Sequence, residues 1–152
     1  MVQANKKHIH FHFLTPAFFF PKRTAVKNFL GKLITKEGRK IDTVNYIFCT
    51  DEYLLALNKS HLNHNSYTDI LTFEHSHPGA PLIADVYISA ERVKENAQKY
   101  HCSFKKELLR VIFHGTLHLC GFEDKSREQV QLMRQREDFY LNKYFVSRET
   151  RL

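Results

Sequence analysis

The sequence is poor in cysteine, glycine and proline, and it contains no tryptophan. Its 152 residues include five glycines, four prolines and three cysteines, the last at positions 49, 102 and 120. Because the cysteines are odd in number, widely spaced and without a CxxC pair, they argue against a disulfide framework, a disulfide-linked partner and a four-cysteine zinc site. This pattern is typical of a cytoplasmic protein in a reducing compartment.

Long hydrophobic runs are also missing. No apolar segment approaches the roughly 18–20 residues that cross a bilayer, so we expect no membrane contact. The apolar patch near the start is interrupted by His8, His10 and His12, and no small-residue cleavage site follows, which argues against a signal peptide. With 43% hydrophobic residues and no repeat or flexible linker, residues 1–152 are predicted to form one folded domain.

Basic residues outnumber acidic ones by 23 to 16, which gives a formal net charge of +7 with histidine neutral. The excess is concentrated in residues 1–50, which contain nine basic and two acidic side chains. Such a stretch attracts polyanions through long-range steering and counterion release. The charge is compatible with RNA binding, but a solvated helix face would have the same composition.

Hydrophobic periodicity predicts four strands and five helices. Residues 8–13 alternate strictly, as in a half-buried strand that turns its histidines to one face. The predicted strands are residues 8–13, 43–49, 68–73 and 82–88, and the predicted helices are residues 22–36, 51–58, 90–100, 104–119 and 127–144. Thr50 is the expected cap of the second helix, and Ser126 with Gln129 forms a capping box for the last. The order of elements indicates an α+β fold with a long helical hairpin packed on the sheet.

Two histidines on one predicted helix form the strongest chemical signal. Residues 107–124 read ELLRVIFHGTLHLCGFED, so His114 and His118 are four residues apart and leave the same helix face. With this spacing, two helical histidines can bind one divalent metal ion. Gly121 can end the helix and turn the chain back, so that Glu123 or Asp124 supplies a third ligand. The alternative is a pair of satisfied core histidines.

The spacing resembles the zinc-binding helix and glycine turn of the metzincins, with Asp124 where their third histidine stands. In metallopeptidases, the residue after the first histidine is a glutamate that acts as general base, whereas here it is Gly115. A peptidase is therefore disfavoured, although a metal ion can still act as a Lewis acid on a phosphodiester. Glycine inside a helix costs about 1 kcal/mol relative to alanine, which indicates that backbone or substrate approaches closely at that turn.

At these residues the sequence resembles the YbeY family of bacterial metal-dependent endoribonucleases. The family signature His-Gly-x-Leu-His-Leu-x-Gly-(Tyr/Phe)-Asp-His is similar to HGTLHLCGFED at residues 114–124. The segments LN at 57–58, TDILTF at 68–73 and ADVYIS at 84–89 resemble further family motifs and follow the family's order.

The resemblance implies a four-stranded mixed sheet with surrounding helices and a zincin-like metal-binding helix. It also implies one Zn²⁺ ion, or another divalent metal, with His114, His118 and Asp124 as the ligands of a metal-dependent hydrolase. The implied activity is single-strand-specific cleavage of RNA in 16S rRNA 3′-end maturation and ribosome quality control. The implied partners are ribosomal RNA and the small ribosomal subunit.

Two positions depart from the family pattern. Asp124 replaces the third histidine, and its negative charge should make the metal less electrophilic and favour harder ions. Leu62 stands where the family commonly has an arginine in the cleft, a residue suited to holding a phosphate. Lys59, His64 and Lys125 are the candidate replacements for RNA binding, and the ordinary alternative for each is a solvated surface side chain.

Two more carboxylates are candidates for supporting a metal ligand. Glu107 lies two helical turns before His114, where it could hold a ligand histidine or form an ion pair with Arg110. Asp85 interrupts an apolar strand, so it needs a partner, and it could face the cleft or cap a helix.

The general base is not assigned. Two other functions remain open, namely a non-catalytic ribosome-assembly factor with a structural metal site and a metallohydrolase of another class, such as a peptidase.

Overall fold

A four-stranded sheet and five helices make up the described part of the chain, which in this computed structural model comprises residues 8–16, 18, 20–62 and 68–149. The α+β class predicted from the sequence is confirmed, although α2 and α5 extend further than predicted. The strands are β1 (Ile9–Phe13), β2 (Ile41–Cys49), β3 (Ile70–Glu74) and β4 (Leu82–Ser89). The helices are α1 (Arg23–Lys36), α2 (Asp51–Leu62), α3 (Ala90–Lys99), α4 (Phe104–Leu119) and α5 (Arg127–Glu149).

The sheet is mixed, with the strand order β1-β2-β4-β3. Strands β1 and β4 both run parallel to β2, whereas β3 is antiparallel to β4. The parallel strands β1 and β2 are joined through α1, because a parallel pair needs a crossover connection. The antiparallel strands β3 and β4 need only a short connection, in which Gly79 adopts φ +81°. The mixed sheet implied by the family resemblance is therefore confirmed.

One face of the sheet carries the main hydrophobic core. Alternate residues of β4 point to this face, and all of them are fully buried: Leu82, Ala84, Val86 and Ile88. They belong to the same cluster as buried residues of α1, α4 and α5, including Leu30, Ile112 and Tyr140. Helix α4 contacts β3, α3 and α5, so its position is determined by the sheet on one side and by helices on others.

The opposite face of the sheet combines a small apolar cluster with polar side chains. Helix α2 packs Leu54 against Cys49 and Leu71 on this face. In β1, Ile9 is buried in the main core while His10 and His12 are exposed, as the strict alternation of residues 8–13 predicts. The two faces therefore provide very different surroundings for histidine.

The predicted helix ends are confirmed by their hydrogen bonds. The Tyr53 backbone N–H donates to Oγ1 of Thr50 at 3.1 Å, so Thr50 caps α2. At the start of α5, the Gln129 N–H donates to Oγ of Ser126 at 3.1 Å, and the Ser126 N–H donates to Oε1 of Gln129 at 3.0 Å. Gly121 adopts φ +103° just after α4, which turns the chain back as predicted.

All three cysteines are free, and burial raises the pKa of the Cys49 and Cys120 thiols to about 12. Neither thiol is therefore a reactive thiolate at neutral pH. Within the described ranges, no helix is both long enough and apolar enough to cross a membrane.

Candidate metal centre and cleft

Helix α4 presents His114 and His118 side by side. Their ring centroids are 4.6 Å apart, and their Nε2 atoms are 3.1 Å apart. The two side chains are 24% and 27% exposed, because the other sides of α4 are buried against the sheet and its neighbouring helices. The pair thus lies at the border between core and solvent, where a bound ion would keep one open side.

Asp124 joins the two histidines after the turn at Gly121. Its Oδ2 lies 3.2 Å from Nε2 of His114 and 3.2 Å from Nε2 of His118. In the described part of the chain, this is the one group of three histidine, cysteine or acidic side chains whose ligand atoms converge. The residues alone left Glu123 and Asp124 as alternatives and the family resemblance implied Asp124, which is the carboxylate that lies beside the two histidines.

The three ligand atoms fit a tetrahedral metal ion. They form a nearly equilateral triangle with sides of 3.1–3.2 Å. Ligand atoms about 2.0–2.1 Å from a tetrahedral zinc ion lie about 3.3–3.4 Å apart, so the triangle needs only a small expansion. Imidazole nitrogen and carboxylate oxygen are also ligand types that zinc accepts.

Glu137 of α5 holds His114 on the side away from this triangle. Its Oε2 lies 2.6 Å from Nδ1 of His114, and its side chain is only 5% exposed. Because a carboxylate accepts hydrogen bonds, Nδ1 carries a hydrogen, which leaves Nε2 as the His114 atom able to bind a metal ion. Arg110 donates to Oε1 of the same carboxylate at 2.9 Å.

Glu137 was not predicted from the sequence, because it lies on another helix, 23 residues from His114. A signal was nevertheless available. Met133, Tyr140 and Tyr144 form a buried stripe on α5, and Glu137 is a buried carboxylate at the matching helical position. A charged residue inside such a stripe requires a partner, although only the packing of α4 against α5 identifies it.

The carboxylates around His114 create a strongly negative environment. Burial opposes the charged form of His114, but the hydrogen bond and charge of Glu137, with Asp124 and Asp69, outweigh it and raise the pKa of His114. Burial also raises the pKa of Asp69. A field that stabilises a protonated imidazole also stabilises a metal cation in its place.

Glu137, rather than Glu107, contacts the candidate ligand His114. Glu107 is buried, its Oε1 lies 3.9 Å from Sγ of Cys102, and burial raises its pKa. Arg110, the other predicted partner of Glu107, donates instead to Glu137 and Asp138. The physical reason is that α5 faces Nδ1 of His114, whereas Glu107 is two turns away along α4.

Asp85 does not line the cleft and lies on the opposite face of the sheet. In β4 it alternates with Ala84 and Val86, whose side chains are buried in the main core. Its carboxylate accepts from Nδ2 of Asn45 at 3.1 Å and pairs with Nε2 of His75 at 3.1 Å. The expected polar partners exist, but strand alternation turns this side chain away from the metal centre.

Gly115 packs against the sheet at the position of the metallopeptidase glutamate. A Cβ atom at this residue would lie 2.4 Å from Cδ1 of Ile70 and 3.3 Å from Cγ1 of Val86. A close approach occurs at this turn, but side chains of β3 and β4 make it, not the backbone or substrate that the sequence predicted. A glutamate at this position would collide with the sheet, so the site lacks the base that a metzincin-type peptidase uses.

A cleft of about 580 Å³ opens beside His114 and Asp124. This volume falls within the usual range for ligand-binding sites. The cleft carries charges of both signs, with the acidic residues Asp69, Glu107 and Glu137, the basic residues Lys106, Arg110 and Arg134, and the phenol of Tyr100. Tyr100 and Arg134 are largely exposed, so they reach into the open part of the cleft.

The predicted RNA-binding residues do not line this cleft where they are described. Lys59 is exposed on α2, and Lys125 is exposed next to Asp124, where its backbone N–H donates to Oε1 of Gln129. His64 lies outside the described residues, and so does the side chain of Leu62. The cations of the cleft come instead from α4 and α5.

Comparison with known proteins shows the family to which the chain belongs. A family model described as Endoribonuclease YbeY matches residues 20–145. The chain belongs to the YbeY family. The signature at residues 114–124 and the upstream motifs at 57–58, 68–73 and 84–89 all lie within the matched range. The family resemblance inferred from these motifs is thereby confirmed.

Individual YbeY proteins are similar over most of the chain. The Endoribonuclease YbeY of Cytophaga hutchinsonii is 44% identical over 121 residues, which cover 80% of this chain and 85% of that protein. The Endoribonuclease YbeY of Flavobacterium psychrophilum is 42% identical over 129 residues, with coverage of 85% and 91%. The solution structure of TM1509 from Thermotoga maritima is similar with a TM-score of 0.62 and 26% identity, covering 94% of this chain and 93% of that one.

Proposed function

We propose that this protein is a metal-dependent, single-strand-specific endoribonuclease in ribosomal RNA processing. Its membership of the Endoribonuclease YbeY family supports hydrolytic cleavage of RNA. The observation that carries the metal dependence is the triangle of His114, His118 and Asp124 beside the cleft. Zn²⁺ suits these donors, and the carboxylate also suits harder divalent ions. When bound, the ion supplies Lewis acidity to a phosphodiester and lowers the pKa of a water molecule.

The surrounding side chains prepare the ligand atoms for this role. His114 and His118 direct their Nε2 atoms to one point, and Glu137 keeps the hydrogen of His114 on Nδ1. Arg110 neutralises part of the Glu137 charge and orients its carboxylate. Such support maintains the correct tautomer and ring orientation before substrate arrives.

The cleft provides the means to hold a single RNA strand. Lys106 and Arg134 offer cations for backbone phosphates, and the exposed ring of Tyr100 offers a surface on which an unpaired base can stack. Bases in a duplex are already stacked on their neighbours, so this arrangement favours single strands. Cations from α4 and α5 would then hold the phosphate that the family's arginine, replaced here by Leu62, is suited to hold.

The proposed role in the cell follows from the family resemblance. The substrate is the 3′ end of 16S rRNA, the partner is the small ribosomal subunit, and the wider process is ribosome quality control. These roles place the protein in the cytoplasm, in keeping with its unpaired cysteines.

The neighbouring carboxylates Glu123 and Asp124 allow a matched test. We expect Asp124→Ala to lower the content of tightly bound divalent metal and to reduce cleavage of a single-stranded rRNA fragment by at least about tenfold, because a ligand is lost. Glu123→Ala removes an exposed carboxylate next to it and should change neither quantity. Metal analysis and an RNA digest measure the two effects separately.

Two results would contradict the proposal. Unchanged metal content in Asp124→Ala would show that the ligand set is wrong. Fully metal-loaded protein that cleaves neither single-stranded nor duplex rRNA would show that the protein binds rather than cuts RNA.

A further inference from the structure

A second basic and aromatic surface lies on α1 and α5, outside the cleft. We call it the Phe139 patch and define it as Lys36, Arg136, Phe139 and Lys143. Nζ of Lys36 lies 4.7 Å from the ring centroid of Phe139, Cζ of Arg136 lies 4.8 Å from it, and Nζ of Lys143 lies 5.5 Å from it. Three cations thus surround one phenyl ring, and that ring is 40% exposed.

The charges of the patch are only partly balanced within the protein. Arg136 pairs with Glu37 at 2.6 Å, which ties its guanidinium to the end of α1. Lys36 and Lys143 are both exposed and lie close enough that Lys143 lowers the pKa of Lys36. Two ammonium groups brought together repel each other, so a bound anion between them would be stabilising.

The patch is separate from the candidate catalytic centre. Phe139 follows Glu137 by two positions, which places it about 200° around α5 from the carboxylate that holds His114. None of the four patch residues lines the cleft. An RNA molecule that reaches both the cleft and the patch must therefore pass around α5.

We propose that the Phe139 patch is a second RNA-binding site, which holds the phosphodiester backbone of a long substrate outside the cleft. Lys36 and Lys143 contact phosphates, and the exposed part of the Phe139 ring contacts an unpaired base. Lys36 belongs to the basic stretch of residues 1–50, which contains nine basic and two acidic side chains. The proposal rests on the proposed function for the identity of the polyanion.

Binding to metal-free protein tests the patch independently of catalysis. The test variant is Lys36→Gln with Lys143→Gln, and the control is Lys40→Gln with Lys94→Gln, which removes two exposed lysines that lie outside α1 and α5. Affinity for a long single-stranded RNA is measured over a range of salt concentrations. Loss of two phosphate contacts should reduce the slope of log K against log salt by about 1.4, and should weaken binding at low salt by about tenfold or more.

Two further measurements assign the effect to the patch. Phe139→Ala should weaken binding by about tenfold with little change in salt slope, because contact between a base and an aromatic ring adds affinity without a charge. A short oligonucleotide that fills only the cleft should be bound equally by the parent protein and by the double-glutamine variant. Circular dichroism verifies that each variant is folded.

The proposal is overturned if the patch variant and the control variant lose equal affinity for long RNA. It is also overturned if the patch variant binds RNA normally but no longer binds anionic lipid vesicles, since the surface would then serve a membrane. Because all of these assays measure binding without metal, they remain informative even if the protein proves unable to cleave RNA.

Discussion

The histidines of β1 and those of α4 differ in spacing, burial and neighbours. His10 and His12 are exposed on a strand, with ring centroids 6.3 Å apart. His114 and His118 are partly buried on a helix, with ring centroids 4.6 Å apart and Nε2 atoms 3.1 Å apart. A strand separates residues i and i+2 by about 6.6 Å, whereas a helix stacks residues i and i+4 on one face. Backbone geometry, rather than the number of histidines, therefore creates the candidate metal site.

The partners of the two groups differ as much as their spacing. Nε2 of His12 pairs with the neutral amide oxygen of Asn45 at 3.0 Å, on an exposed sheet face. Nδ1 of His114 pairs with the buried carboxylate of Glu137, and its Nε2 faces the carboxylate of Asp124. Negative charge on both sides of His114 favours a cation at the α4 site, whereas His12 has a neutral amide as its partner.

The largest effect is expected when one histidine is removed from each group. His118→Ala deletes a ligand atom and should weaken zinc affinity by more than about a hundredfold, because loss of a supporting partner alone typically costs about 10–100-fold. His12→Ala is the matched control and should leave zinc affinity unchanged. Competition with a chelator of known affinity measures both. Similar losses in the two variants would show that the strand histidines also bind the metal.

A smaller effect is expected from the carboxylate that supports His114. Glu137→Gln keeps the size of the side chain but removes its charge, and should weaken zinc affinity by about 10–100-fold. Asp138→Asn is the control, because Asp138 also accepts from Arg110, at 2.7 Å, but is 59% exposed. Isothermal titration with zinc compares the two variants. Equal losses would assign the effect to the ion pairs of Arg110 instead of the contact with His114.

The smallest effect concerns stability and the buried carboxyl of Glu107. Burial raises the pKa of Glu107, so the folded state favours its protonated form. Stability is then lost as the pH rises from the ordinary glutamate pKa through the raised pKa of the folded state. Glu107→Gln removes this penalty, so the free energy of unfolding should increase by about 1 kcal/mol at neutral pH and change little in acid.

Urea denaturation of the metal-free protein at neutral and acidic pH measures this difference. Glu95→Gln is the control, since Glu95 is exposed and pairs with Arg92 on the same helix. A gain in Glu107→Gln that is the same at both pH values would attribute the stabilisation to shape rather than to charge.

Local patterns in the sequence predicted much of the fold and part of the candidate site. The periodicities predicted the elements and their order, and the hydrogen bonds of Thr50, Ser126 and Gln129 confirmed the predicted caps. The four-residue spacing of His114 and His118 and the turn at Gly121 were also visible, because each depends only on neighbouring residues. The orientation of Asp85 could not be predicted in this way, because local patterns do not establish which face of the sheet lies next to the candidate metal centre.

The sequence by itself determined the element types, the YbeY family motifs and the pair of helical histidines, because these depend on spacing within one helix or strand. Only the tertiary structure decided that Glu137 holds His114 and that Lys36 meets Lys143 beside Phe139. Each of these contacts joins segments that are separated in the chain. Their side chains meet because α4 packs against α5 and because Tyr140 and Tyr144 of α5 contact Phe29 of α1, and no local pattern encodes that packing.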